Sequence, residues 1–172
     1  APGTNIWMFN LGDLGKRLEK HPSIRSATVR RIPPRRIHID IQERETIAFF
    51  LREDGSLMGL DAGGVAIPPP PSFRQKNAVQ PIGEMDIQTL LSYPILRAQS
   101  SMPQIAGERV ADSYTLEALM FLERLQSHCP DFFREIVEGD VKEDGNFVLH
   151  PRRRIGIMIL RDLASRDLEK KI

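Results

Sequence analysis

Two adjacent prolines inside an alternating stretch constrain this chain more than any other feature. Pro33 and Pro34 each lack a backbone N–H and hold φ near −65°, so neither fits a helix interior or a central strand. The residues on both sides alternate. From Ile24 to Ile32, Ala27 and Val29 fall on one face and Thr28 and Arg30 on the other. Beyond the prolines, Ile37, Ile39 and Ile41 alternate with Arg36, His38, Asp40 and Gln42. A period of two marks a half-buried strand, and two such runs around a Pro-Pro turn predict a hairpin. Upstream, Phe9, Leu11, Leu14 and Leu18 recur at roughly helical spacing. They predict a short helix over Asn10 to Lys20, with Asn10 as N-cap and His21-Pro22 as its stop. Gly12 and Gly15 work against that helix. Helix, strand, tight turn and strand together make a small layered α+β unit, one helix covering one hairpin.

After Glu43-Arg44 the texture changes. Ile47 to Arg52 and Leu57 to Leu60 read as strands about the Asp54-Gly55 turn, and Asp61 to Gly64 is a second turn leading to a short strand at Val65 to Ile67. Residues 47–67 therefore predict a β-meander that opens a second unit. Pro68 to Pro71 suits a polyproline II spacer. Residues 72–101 give no clear pattern beyond one or two helical turns over Asp86 to Tyr93, stopped by Pro94. Asp112 to Ser127 predicts the strongest helix, with Leu116, Leu119 and Met120 together, Asp112 or Ser113 as cap, and Pro130 beyond its end. Strands follow at Phe133 to Lys142, Asn146 to His150 and Arg153 to Leu160, with a turn at Gly145. A terminal helix is expected over Asp162 to Ile172. The chain carries no internal repeat and no heptad run.

Composition narrows the class. The 172 residues hold 24 Lys and Arg against 23 Asp and Glu, a net charge of +1. That balance argues against a dedicated nucleic-acid binder. Cys129 is the single cysteine, which excludes an intrachain disulfide and a Cys-based zinc site. The longest stretches free of charged side chains, residues 1–12 and 62–73, are 12 residues long, too short to span a bilayer as a helix. No basic flank of a signal peptide precedes an apolar core. The chain begins at Ala1, so it reads as a processed or shortened piece whose address or anchor lay upstream.

No catalytic constellation stands out. His21, His38, His128 and His150 do not share a metal-motif spacing. Cys129 beside His128 would need to meet it in space with a third group that orients the nucleophile, and neighbours at a helix end seldom meet. Asp61-Ala62-Gly63-Gly64 has neither the Gly-Lys-Ser/Thr of a phosphate loop nor a dinucleotide fingerprint, so a hairpin turn is the better reading. Glu43, Glu45 and Asp40 could suggest paired carboxylates for acid–base work, but a strand end favours solvated charges. Two basic groups remain. Arg30, Arg31, Arg35 and Arg36 flank the Pro33-Pro34 turn, and Arg152, Arg153 and Arg154 precede a strand. Either could touch nucleic acid or anionic headgroups. A solvated face, or charges guarding a sheet edge, is the plainer reading. No aromatic residues interleave with these arginines, which disfavours a base-stacking platform.

One order of features resembles a known family. Pro2 to Ile6, then Leu14, Leu18, Pro22, Ile24, Ala27, Val29-Arg30-Arg31, Pro33, Ile37-His38-Ile39, Glu43-Arg44 and Ile47-Ala48 resemble the FtsQ/DivIB bacterial cell-division proteins. Leu60-Asp61 with Gly64 resembles that family's apolar-Asp-x-x-Gly element, and Met102 to Gly107 its Leu-Pro-x-x-x-Gly. Each motif is loose alone, and their order over nearly the whole chain is the specific part.

The resemblance implies an α+β chain: an incomplete POTRA domain over residues 1–45, then a β-rich FtsQ-type domain with two helices over 46–172, residues 68–101 forming a long proline-rich connection. It implies the periplasmic part of a single-pass inner-membrane protein at the division septum, attached through an N-terminal helix absent from this sequence. It implies no enzyme activity, no cofactor and no nucleic-acid partner. The expected role is to bind other divisome proteins, FtsB and FtsL above all, and to help control septal wall synthesis. In the family a further strand and helix precede Pro2, and a last strand after the terminal helix offers its edge to FtsB by strand addition. Both are expected outside this sequence. The strand most apt to neighbour that edge carries Arg153, Ile155, Ile157 and Ile159, the first candidate partner surface. The hairpin tip at Arg30, Arg31, Arg35 and Arg36 is the second. The alternative is a POTRA-containing component of outer-membrane assembly or secretion, and tandem POTRA units would mark it.

Overall fold

The computed structural model describes residues 10–68, 92–152 and 158–160. The chain divides into two compact units, Ala1–Arg44 and Glu45–Ile172.

The first unit is a helix on a hairpin. Helix α1 spans Leu11–Glu19, and strands β1 (Ile24–Ile32) and β2 (Arg36–Glu43) pair antiparallel. Asn10 caps α1 as its spacing predicts: the side-chain oxygen accepts from the backbone N–H of Gly12 at 3.0 Å. The hairpin register sets Ala27 opposite Ile41, Val29 opposite Ile39, and Arg30 opposite His38. Apolar and polar residues therefore segregate to opposite faces. The helix lies on β1, and Gly15 is what allows the close approach. A Cβ there would meet the Ala27 carbonyl oxygen at 3.2 Å. The glycine that weakens the helix by propensity is thus a packing residue. The Glu19 carboxylate accepts from the Ala27 N–H at 3.1 Å, tying the end of α1 to β1.

The second unit is a seven-stranded mixed sheet. Its strands are β3 (Ala48–Leu51), β4 (Leu57–Leu60), β5 (Ala66–Ile67), β6 (Ile95–Ala98), β7 (Ile136–Val141), β8 (Phe147–Pro151) and β9 (Met158–Leu160). They lie in the order β5-β4-β3-β6-β7-β8-β9. Strand β6 is parallel to both β3 and β7, and the remaining pairs are antiparallel. Helices α2 (Ser113–His128) and α3 (Pro130–Glu135) precede β7 in the chain. One core joins Ala118, Leu119, Phe121, Leu122 and Leu125 of α2 to Ala48, Phe50, Leu60, Leu96, Val141, Phe147 and Leu149 of the sheet. Helix and strand content together make the chain α+β.

Three local expectations need correction. The strand expected from Phe133 begins at Ile136, because Pro130 opens a short helix instead. Proline suits the first helical position, where its missing N–H has no partner to lose. The Phe133 N–H donates to the Cys129 carbonyl at 3.0 Å, and the Phe133 ring is 2 % exposed in the core. The patternless stretch ends in a true strand, β6, which sits at the middle of the sheet. Strand β3 starts at Ala48, with the N–H of Ile47 donating to the Leu60 carbonyl at 2.8 Å just outside it. The polyproline spacer at Pro68 to Pro71, the helical turns over Asp86 to Tyr93 and the terminal helix over Asp162 to Ile172 lie wholly or mostly outside the described residues.

Candidate protein-interaction surfaces

The sheet of the second unit has two ends, and they differ. At the β5 end, residues 107–110 close the edge with backbone hydrogen bonds. Ala66 N–H donates to the Glu108 carbonyl at 2.8 Å, Gly107 N–H to the Ala66 carbonyl at 2.7 Å, and Val110 N–H to the Gly64 carbonyl at 2.9 Å. The turn that aims β5 this way is built by Asp61, 7 % exposed, whose carboxylate accepts from the Val65 N–H at 2.8 Å. Gly64 takes φ +77°, and Arg109 Nε donates to the Gly63 carbonyl at 2.7 Å.

At the other end β9 pairs with β8 through Phe147–Leu160, Val148–Ile159 and Leu149–Met158. Among the described residues β9 has no second neighbour. Of the four residues proposed for this strand, Ile159 is described: it lies on the sheet face opposite α2, beside Val148, and is 59 % exposed. Arg153, Ile155 and Ile157 lie outside the described residues.

The same face carries charges that sequence spacing did not bring together. Asp140 faces His150 Nε2 at 3.1 Å and Lys142 Nζ at 3.5 Å, while Arg97 on β6 pairs with Glu138 on β7. The signal was available only through register: Glu138 sits opposite His150, and Arg97 opposite Asp140. These partly exposed pairs orient side chains across β6, β7 and β8 and contribute little stability each.

In the first unit the hairpin brings Arg30, Arg31, Arg35 and Arg36 to one end. Arg30 reaches Asp40 at 3.4 Å, and Asp40 also meets His38 Nε2 at 2.7 Å. Arg35 and Arg36 are exposed, and neither has an ion pair among the described residues. Ile32 beside them is 41 % exposed.

Other candidates are modest. A depression of ≈ 290 Å³ is lined by Gln99, Ser100, Asp112, Tyr114, Val141, Lys142 and Glu143. Asp112 there is committed to capping α2, and the Glu143 N–H donates to Gln99 Oε1 at 3.1 Å. Cys129 is exposed at the junction of α2 and α3, with its N–H donating to the Leu125 carbonyl at 2.8 Å. Among the described residues no group of three or more His, Cys, Asp or Glu side chains is placed to hold a metal ion. Nor is any described helix long and apolar enough to cross a membrane.

What the geometry offers, then, is edges and tips suited to protein contact. Residues 1–44 match the family model described as POTRA domain, FtsQ-type, so the chain is a POTRA-containing protein. No curated protein matches it significantly. The match covers the first compact unit alone.

Proposed function

We propose that this chain is a non-catalytic scaffold of the bacterial division machinery, which binds FtsB- and FtsL-type proteins at the septum and helps control septal wall synthesis. The observation that carries the reading is the FtsQ-type POTRA domain at residues 1–44. The second unit, read as the FtsQ-type β domain, supports it through its asymmetric sheet. One edge is closed by residues 107–110, and among the described residues the other ends on β9. A strand edge recruits partners through backbone hydrogen bonds, with alternate side chains giving specificity. On this reading Ile159 and its strand lie at, or next to, the partner edge. The protein belongs on the periplasmic side of the inner membrane, held by a single N-terminal span.

Binding of the periplasmic FtsB–FtsL coiled coil, measured by calorimetry, tests the proposal. This chain and a version extended at its C terminus are compared, each with and without Ile159→Pro. Saturable binding by either version, weakened by the proline, is the expected result. Proline removes a ladder donor and is tolerated poorly within a paired strand. A folded extended chain that binds neither partner would sink the assignment.

A further inference from the structure

The charge of this chain is divided unevenly. Residues 1–44 hold nine Lys and Arg against four Asp and Glu, whereas residues 45–172 hold 15 against 19. The near-neutral total conceals a basic first unit. Four of its nine cations, Arg30, Arg31, Arg35 and Arg36, sit about the hairpin turn. Such asymmetry points to an anionic partner surface.

We propose that the β1–β2 tip docks on an anionic phospholipid surface. The apex is apolar and its surround is basic. Ile32, Pro33 and Pro34 are exposed between Arg30-Arg31 on one strand and Arg35-Arg36 on the other. The register puts Ile32 opposite Arg36 and Arg31 opposite Ile37, so Arg30 and Arg36 flank Ile32 on one face of the hairpin and Arg31 lies on the other. Arg35 and Arg36 have no ion pair among the described residues. Arg30 has only the exposed Asp40 at 3.4 Å, a contact that solvent and salt weaken.

Shape decides between anionic partners. A hairpin end is convex and offers no groove to grip an acidic protein segment. Residues 10–44 contain no Phe, Tyr or Trp, so bases of a single strand would find no stacking surface. A bilayer surface needs neither groove nor stack. Guanidinium groups meet headgroup phosphates while a small apolar apex enters the acyl boundary. The inference stands apart from the division reading, since it uses only the first unit's charge and shape.

Co-sedimentation of the full chain with phosphatidylcholine vesicles, with and without phosphatidylglycerol, tests it. Binding only to the anionic vesicles, and released by high salt, is expected. Each basic side chain near such a surface is worth about 1 kcal/mol, or about five-fold in affinity. Arg35→Gln should therefore weaken binding about five-fold, and Arg35→Glu with Arg36→Glu by at least about 25-fold. Ile32→Ser should weaken it further, and Arg152→Gln should leave it unchanged. Both arginines are exposed, Arg35 in the turn and Arg36 at the start of β2, and circular dichroism checks that the variants fold; the single Arg35→Gln serves if the double variant does not. Absence of binding to anionic vesicles at low salt would overturn the proposal. So would binding that ignores the tip substitutions, or tip-dependent binding to duplex DNA or an acidic peptide that exceeds binding to the vesicles.

Discussion

Asp54 does more at the β3–β4 turn than the Asp54-Gly55 signature requires. Its carboxylate accepts from the Ser56 hydroxyl at 2.5 Å and from the Ser56 N–H at 2.9 Å, and lies 2.9 Å from Arg52. The β7–β8 turn repeats the chemistry: Asp144 accepts from the Asn146 N–H at 3.1 Å, and the glycines of the two turns take φ 78° and 77°. Both turns were legible because an Asp-Gly pair favours this backbone. An Asp-Gly pair does not by itself reveal the bonds from the residue two places on. The Ser56 hydroxyl, then its N–H, hold the Asp54 carboxyl below its ordinary value of 3.8. A lowered folded-state value favours the native state above the unfolded value, and that contribution is lost as pH falls through the folded one. A carboxyl-detected NMR titration should place the Asp54 midpoint below 3.8. Ser56→Ala should raise it, and a midpoint unmoved by the substitution would mean the hydroxyl is not the cause. Gly64 leaves little room for change. Its φ is +77°, and a Cβ would come within 2.4 Å of Leu116 Cδ2. Gly64→Ala should cost at least about 1 kcal/mol from the left-handed backbone alone, with overlap against α2 added. An unchanged urea midpoint would contradict this.

At the scale of elements, legibility followed locality. The hairpin, α1 and α2 announce themselves through patterns complete within one stretch. Strand β6 does not. It is four residues long, buries Leu96, and finds both neighbours far along the chain: Phe49 faces Ile95, and Leu96 faces Gly139. A short apolar run without a local partner carries no period that separates strand from loop. Helix α3 was hidden for another reason, since Phe132-Phe133 reads equally as strand, although Pro130 at its first position is a start signal. The start of α2 shows a cap joined to the core. Asp112 accepts from the Thr115 N–H at 2.8 Å and from the Thr115 hydroxyl at 2.5 Å, and Thr115 is 0 % exposed. Asp112→Ala removes a cap worth about 1 kcal/mol. It also strands a buried hydroxyl at a cost of about 1–3 kcal/mol. Chemical unfolding should therefore show a loss of about 2–4 kcal/mol. Adding Thr115→Val should recover part of it, because the hydroxyl left without a partner is then gone. A double variant less stable than Asp112→Ala alone would show that Thr115 has another role.

Across the whole second unit, the order of the sheet could not be read from sequence, because β6 inserts between the meander β3-β4-β5 and the later strands. That insertion makes β6 the centre of the sheet, parallel to the strand on each side, with Leu96 1 % exposed. Among the described residues the ends of the sheet are three residues at β9 and two at β5, the latter closed by residues 107–110. Opening free energies should follow that order, highest where strands are paired on both sides and buried, lowest at an edge. In native-state hydrogen exchange, amides of residues 95–98 and 136–141 should therefore be the slowest, and those of 158–160 much faster. Partner binding at the β9 edge would slow the amides of 158–160 while leaving the centre unchanged, because strand addition satisfies edge groups that solvent otherwise reaches. If those amides are already as protected as β6 in the unbound chain, another segment covers the edge, and the partner contact has to be sought beyond β9.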